Sequence, residues 1–86
     1  MISISSVGKD NFLVKISEKQ GKSNHLVKLD ESYYKYLTNC KISREELIEK
    51  SFKFLLKREK KEEILSKFNL NVISKYFIDY EQEIKK

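Results

Sequence analysis

The apolar residues of this chain change their spacing once, at Asp30, and that switch constrains the fold more than any other feature. Before it, Ile2 and Ile4 alternate with Ser3 and Ser5, and Phe12, Val14 and Ile16 alternate with Leu13, Lys15 and Ser17. A period of two sends successive side chains to opposite faces of a sheet. After Asp30, Tyr33, Tyr34 and Leu37, and then Leu47, Ile48, Ser51, Phe52, Leu55 and Leu56, recur at intervals of three and four, which places them along one side of helices. Strands first and helices after predict an α+β fold: a three-stranded antiparallel meander followed by three helices packed on one sheet face. With 86 residues there is room for one small domain, with strands in 1–29 and helices in 30–86.

Local signals place the boundaries. Gly8-Lys9-Asp10-Asn11 and Lys19-Gln20-Gly21-Lys22-Ser23 are turn-rich breaks, so residues 11–18 are predicted as the central strand between two hairpins, and 24–29 as the third. Asp30 has the chemistry of a helix N-cap, a carboxylate able to accept from the first free backbone N–H groups. Ser43 and Glu46 have capping-box spacing, and Ile42 and Leu47 that of a hydrophobic staple, which starts the second helix. Glu46–Lys50 and Glu49–Lys53 are favourable pairs on its outer face. Ile64, Leu65 and Phe68 at helical spacing predict a third helix or a bent continuation of the second; Asn69-Leu70-Asn71 breaks it. Val72, Ile73, Tyr76, Phe77 and Tyr80 form the last stripe.

Several kinds of chemistry lack their residues. Cys40 is the one cysteine, so no internal disulfide can form, and no Cys/His cluster supplies the ligands of a structural zinc. No cofactor or metal is expected. No stretch approaches the ~20 apolar residues that span a bilayer, and the amino terminus lacks a basic segment followed by an apolar run, so the expected address is cytoplasmic. His25 is the one side chain whose unperturbed titration lies near neutrality. It has no evident partner, and on a strand it reads as a partly buried or rim residue. Cys40 lies beside Lys41 but lacks a base and an oxyanion donor set. With no glycine-rich phosphate loop, paired-carboxylate site or Ser-His-Asp arrangement, the expectation is a protein without catalytic activity.

What remains is charge and aromatic surface. The 18 Lys and Arg against 13 Asp and Glu leave +5, and residues 41–61 hold eight of the cations against four of the anions. Lys53, Lys57, Arg58, Lys60 and Lys61 are the candidate rim for gripping nucleic-acid phosphates; interleaved Glu46, Glu49, Glu59, Glu62 and Glu63 cancel much of that field, which makes a solvated helix face the leading reading of the run. Neighbouring helical side chains diverge by roughly 100°, so Tyr33, Tyr34 and Tyr36 cannot all face inward, nor can Tyr76, Phe77 and Tyr80. Most of these rings are expected in the core of so small a domain. The surplus is predicted to form an aromatic face of Tyr34, Tyr36, Tyr76 and Tyr80 that binds another protein or a second copy of the chain. The sequence thus reads as a non-enzymatic binding module acting through protein–protein contacts, self-association included. The alternative is a basic nucleic-acid-binding regulator, and the third reading a small enzyme or ligand binder around His25.

Two resemblances bear on these expectations. Ser51-Phe52-Lys53-Phe54-Leu55-Leu56-Lys57-Arg58-Glu59, then Ile64-Leu65 with Phe68, then Tyr76-Phe77 with Tyr80-Glu81, resemble the pattern of a family of small uncharacterised prokaryotic proteins, over residues 25–84. In that family a proline usually follows the Arg-Glu pair and another the Tyr-Phe pair; Lys60 and Ile78 stand there in this chain. The resemblance implies a fold and no activity. The order of 24–29, 30–37 and 43–57 is similar to the strand, short helix and longer helix of ribbon-helix-helix repressors. That likeness implies two chains pairing one strand each, with outward Asn24, Leu26 and Lys28 facing the major groove.

Overall fold

The computed structural model describes residues 1–86. The period-two segment forms β1 (Ile2–Ser6), β2 (Asn11–Glu18) and β3 (Gly21–Lys28), paired antiparallel in the order β1-β2-β3. Ile2 pairs with Ile16, Ile4 with Val14, Val14 with His25 and Phe12 with Val27. Paired residues point the same way, so one sheet face collects Ile2, Ile4, Phe12, Val14, Ile16, His25 and Val27. Pairing of Glu18 with Gly21 leaves Lys19-Gln20 as a two-residue loop, and Gly21 closes it at φ +141°, a conformation that side chains with a Cβ rarely adopt.

The 3.6-residue period then delivers α1 (Glu31–Thr38) and α2 (Arg44–Leu56). α2 opens with the predicted capping box: Ser43 Oγ accepts from the Glu46 N–H at 3.0 Å, and the Glu46 carboxylate accepts from the Ser43 N–H at 3.4 Å, an arrangement worth about 1 kcal/mol. Asp30 does occupy the N-cap position of α1, yet its side chain does not cap. Its carboxylate accepts instead from Asn69 Nδ2 at 3.3 Å. α1 stops at Asn39, whose φ of 51° is left-handed, and Cys40 follows at 60°; asparagine is among the few residues that tolerate this region. On α2, Lys53 pairs with Glu49 at 3.3 Å, whereas Lys50 reaches past Glu46 to the Ile84 carbonyl at 3.4 Å. The buried side of α2, with Leu47, Ile48, Phe52 and Leu55, packs with Phe12, Val14, Ile16 and Val27 in one core.

Beyond Leu56 the structure departs from the predicted three helices on three strands. A 3₁₀ turn at Lys61–Glu63 leads into a short fourth strand, β4 (Lys67–Asn69), which pairs parallel with β3. A second 3₁₀ turn (Leu70–Val72), α3 (Ile73–Tyr76) and α4 (Tyr80–Lys85) complete the chain. The fold is therefore α+β with a four-stranded sheet and four helices. The expected third helix fails because residues 64–66 spend their backbone groups on the sheet: the Leu26 N–H donates to the Ser66 carbonyl at 2.8 Å and His25 Nδ1 to the Leu65 carbonyl at 2.7 Å. A parallel neighbour needs a long crossover, and α1 with α2 supply it. Consequently β3 is hydrogen-bonded to β2 along its length and to β4 over Leu26–Lys28. No helix is long and apolar enough to cross a membrane.

Candidate functional site

The exit from the sheet creates a groove. Leu55 at the end of α2, Ile64 in the irregular segment and Ile73 at the start of α3 form its buried base. Leu65, Phe68, Val72, Tyr76 and Phe77 form its walls, and the space between them is about 350 Å³. Leu65 is 50% exposed and Tyr76 71% exposed. The polar rim consists of two carboxylates, Glu59 and Glu63, and neither forms an ion pair; Glu63 accepts from the Lys60 N–H at 2.8 Å, while Glu59 is half-buried. Leu65 is held on this rim by His25. Because a carbonyl only accepts, the Nδ1 of His25 donates to the Leu65 oxygen; Nε2 lies 2.9 Å from Ser23 Oγ, and the ring sits 5.5 Å from that of Phe52. His25 is 2% exposed, deeper than the partly buried or rim position expected of it, and acts as a tie between β3 and the groove wall.

The four tyrosines predicted to share a face do not share one. Tyr80 is wholly buried, where its hydroxyl lies 2.7 Å from Ser51 Oγ and its ring packs edge-on to Phe54 at 5.3 Å. Burial raises its phenol above the ordinary range. The reason is geometric: the last stripe is split between α3 and α4, so Tyr80 turns inward while Tyr76 turns outward. Tyr34 is half-buried, donating to the Ile42 carbonyl at 2.7 Å beneath the Arg44 guanidinium. Tyr36 is 54% exposed, but its ring carries the Lys85 ammonium at 3.8 Å and its hydroxyl donates to Glu81 at 3.3 Å. Tyr33, which the prediction left out, donates to the other Glu81 oxygen at 2.8 Å; burial first, and this bond second, raise its phenol. Of the predicted face, Tyr76 alone stands on the groove.

The predicted basic rim is also broken up. Lys53 is paired with Glu49, and Arg58 with Asp79 at 2.8 Å while its guanidinium lies 3.6 Å from the Phe54 ring centre. Lys61 is only 5% exposed: the 3₁₀ turn aims it back at the sheet, where it meets Glu62 and, at 3.3 Å, Glu18. Glu62, then Glu18, hold its ammonium above the ordinary lysine value, and Lys61 in turn holds the Glu62 carboxyl below its own. Lys57 and Lys60 remain unpaired on opposite ends of a bend. No group of three or more His, Cys, Asp or Glu side chains is placed to hold a metal ion. Compared with known protein families, curated proteins and solved structures, the chain matches none.

Proposed function

We propose that the protein is a non-enzymatic docking module whose groove seats the apolar side chains of a partner protein segment that also carries lysine or arginine. The observation that carries this reading is the pair of half-wet walls, Leu65 and Tyr76, standing over a preformed apolar base. Small soluble domains seldom leave contiguous apolar surface without an occupant, and tyrosine is among the side chains that dominate binding energy when covered. The rim decides the partner's charge. Glu59 and Glu63 form no ion pair in a chain that is otherwise cationic, which favours an apolar segment flanked by basic residues over an acidic one.

The test is a fluorescence-anisotropy titration with a pair of short peptides that share leucine and phenylalanine anchors and differ only in lysine or glutamate flanks. The lysine-flanked peptide is expected to bind more tightly, and Tyr76→Ser to weaken it by about thirty-fold, the equivalent of losing an anchor worth about 2 kcal/mol. Equal binding of both peptides, or binding indifferent to Tyr76→Ser, refutes the reading. A dimer by solution molar mass that falls apart with Tyr76→Ser assigns the groove to a second copy of the chain instead.

A further inference from the structure

The face of the sheet that the helices leave open is separately organised. Register assigns to it Ser3, Lys15 and Asn24 in one cross-strand row, Ser5, Leu13, Leu26 and Lys67 in the next, and Asn11, Lys28 and Asn69 in the one after; Ser17 and Lys22 precede them. Four lysines thus stand on it, one per row, and the strands place no carboxylate there. The acids of this region have the opposite parity: Glu18 turns to Lys61 and Asp10 to Arg44, both on the helix side. The nearest anion to the open face is Asp30, beyond the end of β3, 3.9 Å from Lys28. On this face Lys15, Lys22 and Lys67 are unpaired and Lys28 meets Asp30, whereas on the rim formed by residues 53–61 Lys53, Arg58 and Lys61 are paired and Lys57 and Lys60 are not.

We infer that this face binds single-stranded nucleic acid, with Lys22, Lys15, Lys67 and Lys28 along the phosphates and bases laid on the apolar middle of the sheet. From Lys22 to Lys28 is six residues, about 20 Å of strand, and the intervening rows supply what a backbone-only site lacks. Leu13 and Leu26 are half-buried between the lysines, and a hollow of about 380 Å³ beside them is lined by Leu26, Phe68, Asn11, Asn69, Lys28 and Lys67. Apolar surface for a base plane, the side-chain amides of Asn11 and Asn24 for base edges and ammonium groups for phosphate occur together; the Asn69 amide is already held by Asp30 and the Asn71 N–H. A duplex hides its base planes and is read by elements that enter a groove, which a sheet face cannot do; an unpaired strand can lay its bases open on such a surface.

The experiment is anisotropy of a labelled single-stranded oligonucleotide of roughly ten residues, titrated with the full chain between about 50 and 200 mM salt. Four phosphate contacts on a single strand give a log–log salt slope near −2.8, so affinity should fall about fifty-fold across that range. Lys15→Gln with Lys67→Gln, both exposed positions, should halve the slope without altering the melting temperature. Lys57→Gln with Lys60→Gln should leave binding as it is. Absence of binding at the lower salt, unchanged binding by the Lys15/Lys67 variant, or loss of binding in the Lys57/Lys60 variant each overturns the inference. So does tighter capture of a duplex of the same length or of phosphatidylserine vesicles.

Discussion

Ser51 and Tyr80 offer a test of the packing in which the two halves of one hydrogen bond should behave unequally. Ser51 has a single hydroxyl hydrogen, and it is engaged: Oγ donates to the Leu47 carbonyl at 2.8 Å. The 2.7 Å contact between the two hydroxyls is therefore a bond donated by the phenol and accepted by the serine. Tyr80→Phe deletes the donor, keeps the ring against Phe54, and leaves Ser51 still bonded to Leu47; the cost should be that of one net hydrogen bond, about 1 kcal/mol. Ser51→Ala deletes the acceptor and strands a phenol O–H in a site with no solvent access. A buried unsatisfied donor costs about 2 kcal/mol, from which alanine's better helix propensity returns about 0.5 kcal/mol. With both changes no polar group is left behind, and the pair should cost about 0.5–1 kcal/mol, well below the summed single costs.

The measurement is urea denaturation of the wild type, two single variants and the double variant, compared by midpoint at constant m. Against a total stability of roughly 4–13 kcal/mol for a chain of this size, these differences are resolvable. Additive costs, or a larger loss for Tyr80→Phe than for Ser51→Ala, would refute the donor assignment and with it the dry environment assigned to Tyr80. The bond also matters to architecture. At six residues α4 is too short to be helical alone, and Tyr80 and Ile84 are its buried attachments.

Two further outcomes follow from the same geometry. Tyr80 is held protonated by burial, so its folded-state pKa lies above the unfolded value of 10.0; the stabilisation is complete below that value and should be lost as pH rises above it, at about 1.4 kcal/mol per pH unit for this one group, visible as alkaline unfolding that coincides with phenolate absorbance. Tyr33 shifts the same way and steepens the loss, and stability flat above pH 10.0 contradicts both. His25→Phe keeps a ring beside Phe52 but frees the Leu65 carbonyl; stability should drop by about 1–3 kcal/mol, and hydrogen exchange at the Leu26 amide should accelerate more than at Val14, an unchanged ratio being the contrary result.

What the sequence discloses, it discloses through local periodicity and local caps. The meander, its inward set and the Ser43–Glu46 start of α2 all rest on contacts between residues close in the chain or on strict alternation, and those features are present in the structure. β4 is hidden because three residues are too few to display alternation, while Ile64, Leu65 and Phe68 happen to satisfy the helical template. Their conformation is decided at a distance of some forty residues, by His25 and Leu26 claiming the carbonyls of Leu65 and Ser66. The groove inherits that obscurity, since its walls come from α2, the irregular segment, β4 and α3. One signal was available: a lone histidine on the inward face of a strand must find two polar partners, and one of them had to come from a segment that could spare a backbone group.

Charge repeats the lesson in a form that bears on function. A count along the chain puts the positive excess at residues 41–61, and the count is correct, but a surface sees charges after pairing. Arg58 is answered from α4's N-terminal side by Asp79, Lys61 from β2 by Glu18 and Lys53 by its own helix. The strands, by contrast, sort charge by parity, a rule sequence does expose: Lys15, Lys22 and Lys28 share one parity with their register partners, and Asp10 and Glu18 the other. The helices cover the acidic parity and leave the basic one wet. Phe68 lies where the two surfaces meet, lining both the apolar groove and the hollow on the open face. Its ring itself belongs to the helix side, 6.0 Å from that of Phe52, because Phe68 shares a face with its register partner Val27.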